Sequence, residues 1–196
     1  MSQSSDAYLG SLFGLSGKTA LVTGGATGIG RMIATGLVQA GARVMIASRK
    51  AEACIKVAEE INALGGAGSV EGFGGDVGTE EGVKALVAEV ESRTDRLNIL
   101  VNNAGVSWGA PYDEFPHSAW ARVMGVNVAG LFTLTRDLTP LLAKAASDAD
   151  PARIINLGSV MGTQPTADGA YSYSASKAAV HHLTRILAEE LAARRM

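Results

Sequence analysis

Two residues near the C-terminal end of the chain have the types and the spacing to move a proton. Tyr173 and Lys177 are separated by Ser-Ala-Ser, and residues four apart on a helix share a face. An ammonium beside a phenol favours the phenolate and lowers the tyrosine pKa from its usual value of about 10. A tyrosine tuned in this way works as a general acid or base at moderate pH. Taken alone, the pair reads better as a half-buried tyrosine beside a lysine whose stem covers apolar surface. Tyr171, two residues earlier, has no lysine four positions on.

A second feature could hold an anion. Thr23-Gly24-Gly25-Ala26-Thr27-Gly28-Ile29-Gly30 joins an apolar run to a helical pattern. A turn that leaves a strand and opens a helix presents backbone N–H groups and the positive dipole end to a pyrophosphate. Gly24 would permit the tight turn, Gly28 the approach of a phosphate, and Gly30 close helix–strand packing. No Gly-Lys-Ser/Thr follows, which excludes a Walker-type loop. About twenty residues on, a site for NAD would place an acidic residue for the ribose hydroxyls. Here stand Ser48, Arg49 and Lys50. Arg49 can pair with a 2′-phosphate in forked geometry, so NADP(H) is expected over NAD(H). An ordinary strand–helix turn and solvated cations are the alternatives.

The elements that must carry these residues alternate. Thr19–Thr23, 43–47, 69–74, 97–101 and 153–157 read as strands, the third weakened by its glycines. Helical patterns fall at 28–40, closed by Gly41, at 51–64, from Thr79 onward, at about 118–146, and at 171–195. Near-continuous apolar strands between helices predict an α/β fold. That fold is a doubly wound, Rossmann-like parallel sheet of about five strands, helix-covered on both faces. Trp108, Tyr112, Phe115 and Trp120 flank the loop after the fourth strand and are expected to pack in the core.

Composition excludes other classes. The chain is 47% hydrophobic and 18% charged with net charge −2, which excludes disorder and gives no footprint for nucleic acid or an anionic membrane. Its 24 glycines in 196 residues exceed the usual ~7% without a three-residue repeat. The first residues lack a signal peptide's pattern, and no apolar run spans a bilayer, so a cytoplasmic protein is expected. Cys54 has no disulfide partner and reads as a small buried residue. His117, His181 and His182 lack metal-ligand spacing and read as surface or interface residues. No metal is expected.

The glycine turn, Asn102-Asn103-Ala104-Gly105, Asn127, Ser159 and the Tyr173/Lys177 pair stand in the order and spacing of the short-chain dehydrogenase/reductase family, which the chain resembles from about Ser16 to its end. AGVSWGAP (104–111) and INLGSVMG (155–162) are similar to the 3-oxoacyl-(acyl carrier protein) reductases, including the rhamnolipid-associated branch. The resemblance implies an oxidoreductase using NADP(H) on a small carbonyl or acyl thioester. Tyr173 would give a proton to the carbonyl oxygen. Lys177 would hold the nicotinamide ribose, Ser159 would hydrogen-bond the substrate oxygen, and Asn127 would position a water beside Lys177. Asp76 would bind the adenine amino group with Val77 beside it. Asn103, Ala104 and Gly105 would flank the adenosine ribose, and Thr23 and Ile29 complete the cofactor turn. Two departures stand out. Thr27 replaces the basic residue of many NADP-preferring relatives, and the chain stops before the family's last strands and substrate lid. The expected organisation is an N-terminal extension, 1–15, and a dinucleotide-binding domain, 16–196, C-terminally truncated. A non-catalytic nucleotide-binding or regulatory fragment is the alternative function. Val180, Leu183, Leu187 and Leu191 follow helical spacing, and the family's helix pairing implies a homodimer.

Overall fold

The computed structural model describes residues 5–196; the first four residues of the N-terminal extension lie outside the described residues. Strands β1 (Thr19–Thr23), β2 (Arg43–Ser48), β3 (Ser69–Gly74), β4 (Ile99–Asn102) and β5 (Arg153–Asn156) form one sheet in the order β3-β2-β1-β4-β5. Every pairing is parallel, so all five strands end at the same edge. The chain steps outward from β1 to β3, then returns to the opposite side of β1 with β4. That reversal opens a crevice beyond the strand ends between β1 and β4, where open α/β sheets bind ligands.

The apolar strands are buried because each face has its own core. Ala20, Val22, Val44, Ile46 and Val101 pack toward α2 (Gly28–Gln39) and α3 (Ala51–Ala63). Leu21, Met45 and Leu100 point the other way, against Leu86 of α4 (Glu80–Glu91) and Leu134, Leu138 and Leu142 of α6 (Leu131–Ala145). Alternation within each strand divides its residues between the two cores. Local signals set the helix ends. Gly41 closes α2 at φ +100°, a conformation that favours glycine. Thr79 caps α4 by accepting the Gly82 N–H, with Glu80 and Glu81 in the first turn.

Three features differ from the sequence expectation. A helix, α1 (Ser5–Phe13), occupies a segment for which the sequence suggested no element. The region 118–146 is α5 (His117–Met124), a π turn (Gly125–Gly130) and α6. The aromatic residues that flank the loop after β4 are not core: Trp108 is 42%, Tyr112 78% and, on α5, Trp120 37% exposed. That loop runs along the rim beyond both cores. Tyr112 and Phe115 each meet Tyr171, the first residue of α7 (Tyr171–Ala192), edge-on, and Phe115 also meets Trp120.

Candidate active site

The glycine turn leaves β1 at the crevice. Gly24 (φ +66°) and Gly28 (φ +50°) both require left-handed backbone. A Cβ on Gly24 would lie 2.9 Å from Asn103 Nδ2, and one on Gly30 would lie 2.3 Å from the Gly24 oxygen. Gly30 is therefore what lets α2 close on the turn. A Cβ on Gly28 would meet nothing within 4 Å, so that side of the turn is open to a ligand. Thr23 and Asn103 lock the turn to β4. The Thr23 hydroxyl accepts the N–H groups of Asn103 and Ala104, both at 3.1 Å, and the Asn103 amide donates to the Thr23 and Gly24 carbonyls.

A cavity of about 520 Å³ lies beside this turn, lined by Thr23, Gly24, Ser48, Arg49, Lys50 and Asp76 among others. Ser48 is engaged locally: its hydroxyl contacts the backbone of Lys50 and lies 3.1 Å from the Cys54 sulfur. The exposed Arg49 makes no side-chain bond to protein among the described residues, which leaves a free guanidinium on the cavity wall. Asp76 Oδ1 accepts the Gly78 N–H at 2.9 Å. The neighbouring backbone is held by Gly130, where a Cβ would stand 1.9 Å from the Val77 oxygen. A free guanidinium, a helix N-terminus and a glycine cradle fit a phosphorylated dinucleotide.

A second cavity of about 490 Å³ is lined by Ile29, Asn103, Gly158, Met161, Asp168, Tyr173 and Lys177, among others. Gly105 and Val106 line both cavities, which makes them neighbours along one groove. Lys177 is 6% exposed. Its ammonium donates to the Leu157 carbonyl at 2.6 Å and lies 5.6 Å from the Tyr173 ring centroid. Burial pushes the Lys177 pKa below the ordinary lysine value. Ser159 caps the 3-10 turn Val160–Gly162, and its hydroxyl oxygen accepts the Met161 N–H at 3.2 Å. The serine hydrogen remains available to a ligand.

The side chain of Asn127 is occupied within the fold. Buried in the π turn, it accepts the Val106 N–H at 2.9 Å. It also donates to the Val106 carbonyl at 3.0 Å and to the Ser176 hydroxyl at 2.9 Å. Ser176 in turn donates to the Tyr173 carbonyl at 2.7 Å. Asn127 thus ties the β4 exit to the helix that carries the tyrosine. π turns recur where such functional insertions are needed.

Sequence reasoning missed Val106, Ser176 and Gly130. Their partners are distant in the chain, and only a lone glycine or serine within a helical pattern hinted at them. It read His181 as a surface or interface residue and did not see its contact with the Ser159 turn. His181 is half-buried, and its Nε2 lies 3.3 Å from the Ser159 nitrogen as acceptor of that N–H.

A family model described as short chain dehydrogenase matches residues 18–196. The chain is 48% identical over 179 residues to the rhamnolipids biosynthesis 3-oxoacyl-(acyl-carrier-protein) reductase of Pseudomonas aeruginosa, covering 91% of this chain and 69% of that protein. It is 38% identical over 184 residues to a galactitol 2-dehydrogenase (L-tagatose-forming) of Cereibacter sphaeroides, covering 93% and 69%. Among solved structures, the Pseudomonas aeruginosa RhlG/NADP active-site complex superposes with TM-score 0.90 at 46% identity, over 93% of this chain and 70% of that one. A metagenomic short-chain oxidoreductase in complex with NADP gives TM-score 0.82 at 36% identity, over 92% and 79%.

Proposed function

The chain belongs to the short-chain dehydrogenase family, and from that premise we propose an NADP(H)-dependent reductase that interconverts a carbonyl and a secondary alcohol. A 3-oxoacyl thioester or related ketone is the proposed substrate. The observation that carries this reading is the groove shared through Gly105 and Val106, with Arg49 at one end and the Tyr173/Lys177 pair at the other.

Thr23, Gly24, Gly28, Ile29 and Gly30 would hold the pyrophosphate. Ser48, Arg49 and Lys50 would hold the 2′-phosphate, Asp76 and Val77 the adenine, and Asn103, Ala104 and Gly105 the ribose beside β4. When bound, the reduced nicotinamide supplies hydride to the carbonyl carbon. Tyr173 donates its phenolic proton to the carbonyl oxygen, so that carbon and oxygen together gain the two hydrogens of the alcohol. Ser159 hydrogen-bonds that oxygen and orients it. The Lys177 ammonium would stabilise the charge left on the Tyr173 oxygen and would hold the nicotinamide ribose. Asn127 holds the β4 exit and the Tyr173 helix together. Residues 16–196 are read as one dinucleotide-binding unit with 1–15 as its extension. The exposed Phe132 and Ile186 on α6 and α7 support a homodimer through those helices.

Incubation of the purified chain with NADPH and acetoacetyl-CoA, followed by the absorbance of the reduced cofactor, tests the reading. Tyr173→Phe is expected to lower kcat by roughly a thousandfold with NADPH binding retained, whereas Tyr171→Phe is mild. NADPH binding without turnover in the unmodified chain would instead make it a nucleotide-binding module.

A further inference from the structure

The helix α7 addresses the exit of β5 with more than Lys177. Tyr173, Lys177 and His181 follow at intervals of four, which puts them along one face. The Lys177 ammonium donates to the Leu157 carbonyl. One turn on, the imidazole of His181 receives the Ser159 N–H. Two side chains of one helix thus hold a carbonyl and an N–H two residues apart, each with the matching polarity. The turn is shaped around the ring. A Cβ on Gly158 would stand 2.3 Å from His181 Nε2, and one on Gly162 would stand 2.9 Å from His181 Cε1. Glycine on both sides of the Ser159 turn is what allows the imidazole to reach the backbone.

We propose that His181 is a positioning residue. By accepting the Ser159 N–H, its neutral imidazole fixes the turn from which Ser159 offers its hydroxyl to the substrate oxygen. The role rests on the carbonyl-reductase reading given above for Ser159. Acceptance at Nε2 requires the ring proton on Nδ1. With its N–H held by His181 and its Oγ accepting from Met161, Ser159 keeps one free group, the hydroxyl hydrogen.

The test compares His181→Leu, which fills the space without an acceptor, with His181→Gln, whose amide oxygen can accept in its place. Amide hydrogen exchange in the peptide covering 157–164 is read on the chain alone, so this arm needs no turnover. His181→Leu is expected to speed exchange of the Ser159 amide by about tenfold or more, and His181→Gln to restore protection. Nitrogen NMR of the unmodified ring is expected to show the Nδ1–H tautomer. In the acetoacetyl-CoA assay, kcat is expected to fall about ten- to a hundredfold in His181→Leu, with the Kd for NADPH unchanged and Gln largely active. Unchanged exchange in His181→Leu overturns the proposal. So does equal loss of protection in both variants, which would mean that ring shape matters and the acceptor does not. Absence of turnover in the unmodified chain would count against the reductase reading alone, since exchange still decides whether His181 holds the turn.

Discussion

Replacing Asn127 by alanine removes three hydrogen bonds at once: the two with the Val106 peptide and the one with Ser176. A neutral hydrogen bond contributes a net ~1 kcal/mol, and a stranded buried donor or acceptor costs ~1–3 kcal/mol. Val106 is only partly buried, so water can reach its peptide groups and each loss falls near the lower figure. Ser176 is fully buried, but its hydroxyl still donates to the Tyr173 carbonyl. The expected destabilisation is about 3 kcal/mol, a fall in Tm of roughly 6–12 °C for a chain of this size. Urea denaturation and thermal melts measure it directly. Because Val106 lines both cavities, NADPH binding should weaken in the same variant. Asn127→Asp separates geometry from hydrogen bonding. Its carboxylate still accepts the Val106 N–H but faces the Val106 carbonyl without a proton. Stability should therefore recover as pH falls into the carboxyl range and the donor returns. A melting point for Asn127→Ala within about 2 °C of the unmodified chain, under ~1 kcal/mol by the same scaling, would refute the clamp.

Arg49→Ala should weaken NADPH binding about tenfold or more, the worth of a charge-assisted bond, and leave NADH nearly unchanged; equal losses by calorimetry would make Arg49 a support of the fold. Burial holds the Lys177 pKa below its free value of 10.5, so between the folded pKa and 10.5 the unfolded chain binds more protons and stability rises with pH. Lys177→Met should abolish that rise, seen as a difference between the two urea midpoints that changes across the alkaline range; parallel profiles would refute it. Gly130→Ala should destabilise by ~1–3 kcal/mol, because its Cβ meets the Val77 oxygen. Gly36→Ala, at an exposed position of α2 with nothing within 4 Å, should stabilise by ~0.5–1 kcal/mol; thermal melts in which both variants shift the same way would count against the packing argument.

What depends on neighbours along the chain was legible from residue order. The run Thr19–Thr23 is apolar at its central positions and is buried throughout, so its strand was legible without a partner. The glycine turn, the Gly41 stop, the Thr79 cap and the Tyr173/Lys177 spacing are likewise local, because turn dihedrals and helix geometry act over a few residues. The doubly wound parallel class and the family followed from these parts in register, whereas the order β3-β2-β1-β4-β5 came from the folded sheet. Tertiary structure alone decided which groups meet across elements. The Asn127 amide reaches Val106 and Ser176, which are 21 and 49 residues away in the chain. His181 faces the Ser159 turn 22 residues before it. Helical periodicity says that a face exists, but it does not say which backbone will lie against that face. The rim aromatics show the same limit. Trp108, Tyr112 and Trp120 are apolar enough for a core, yet all three are exposed, and Tyr112 and Trp120 meet other rings at the rim, Tyr112 on Tyr171 and Trp120 on Phe115.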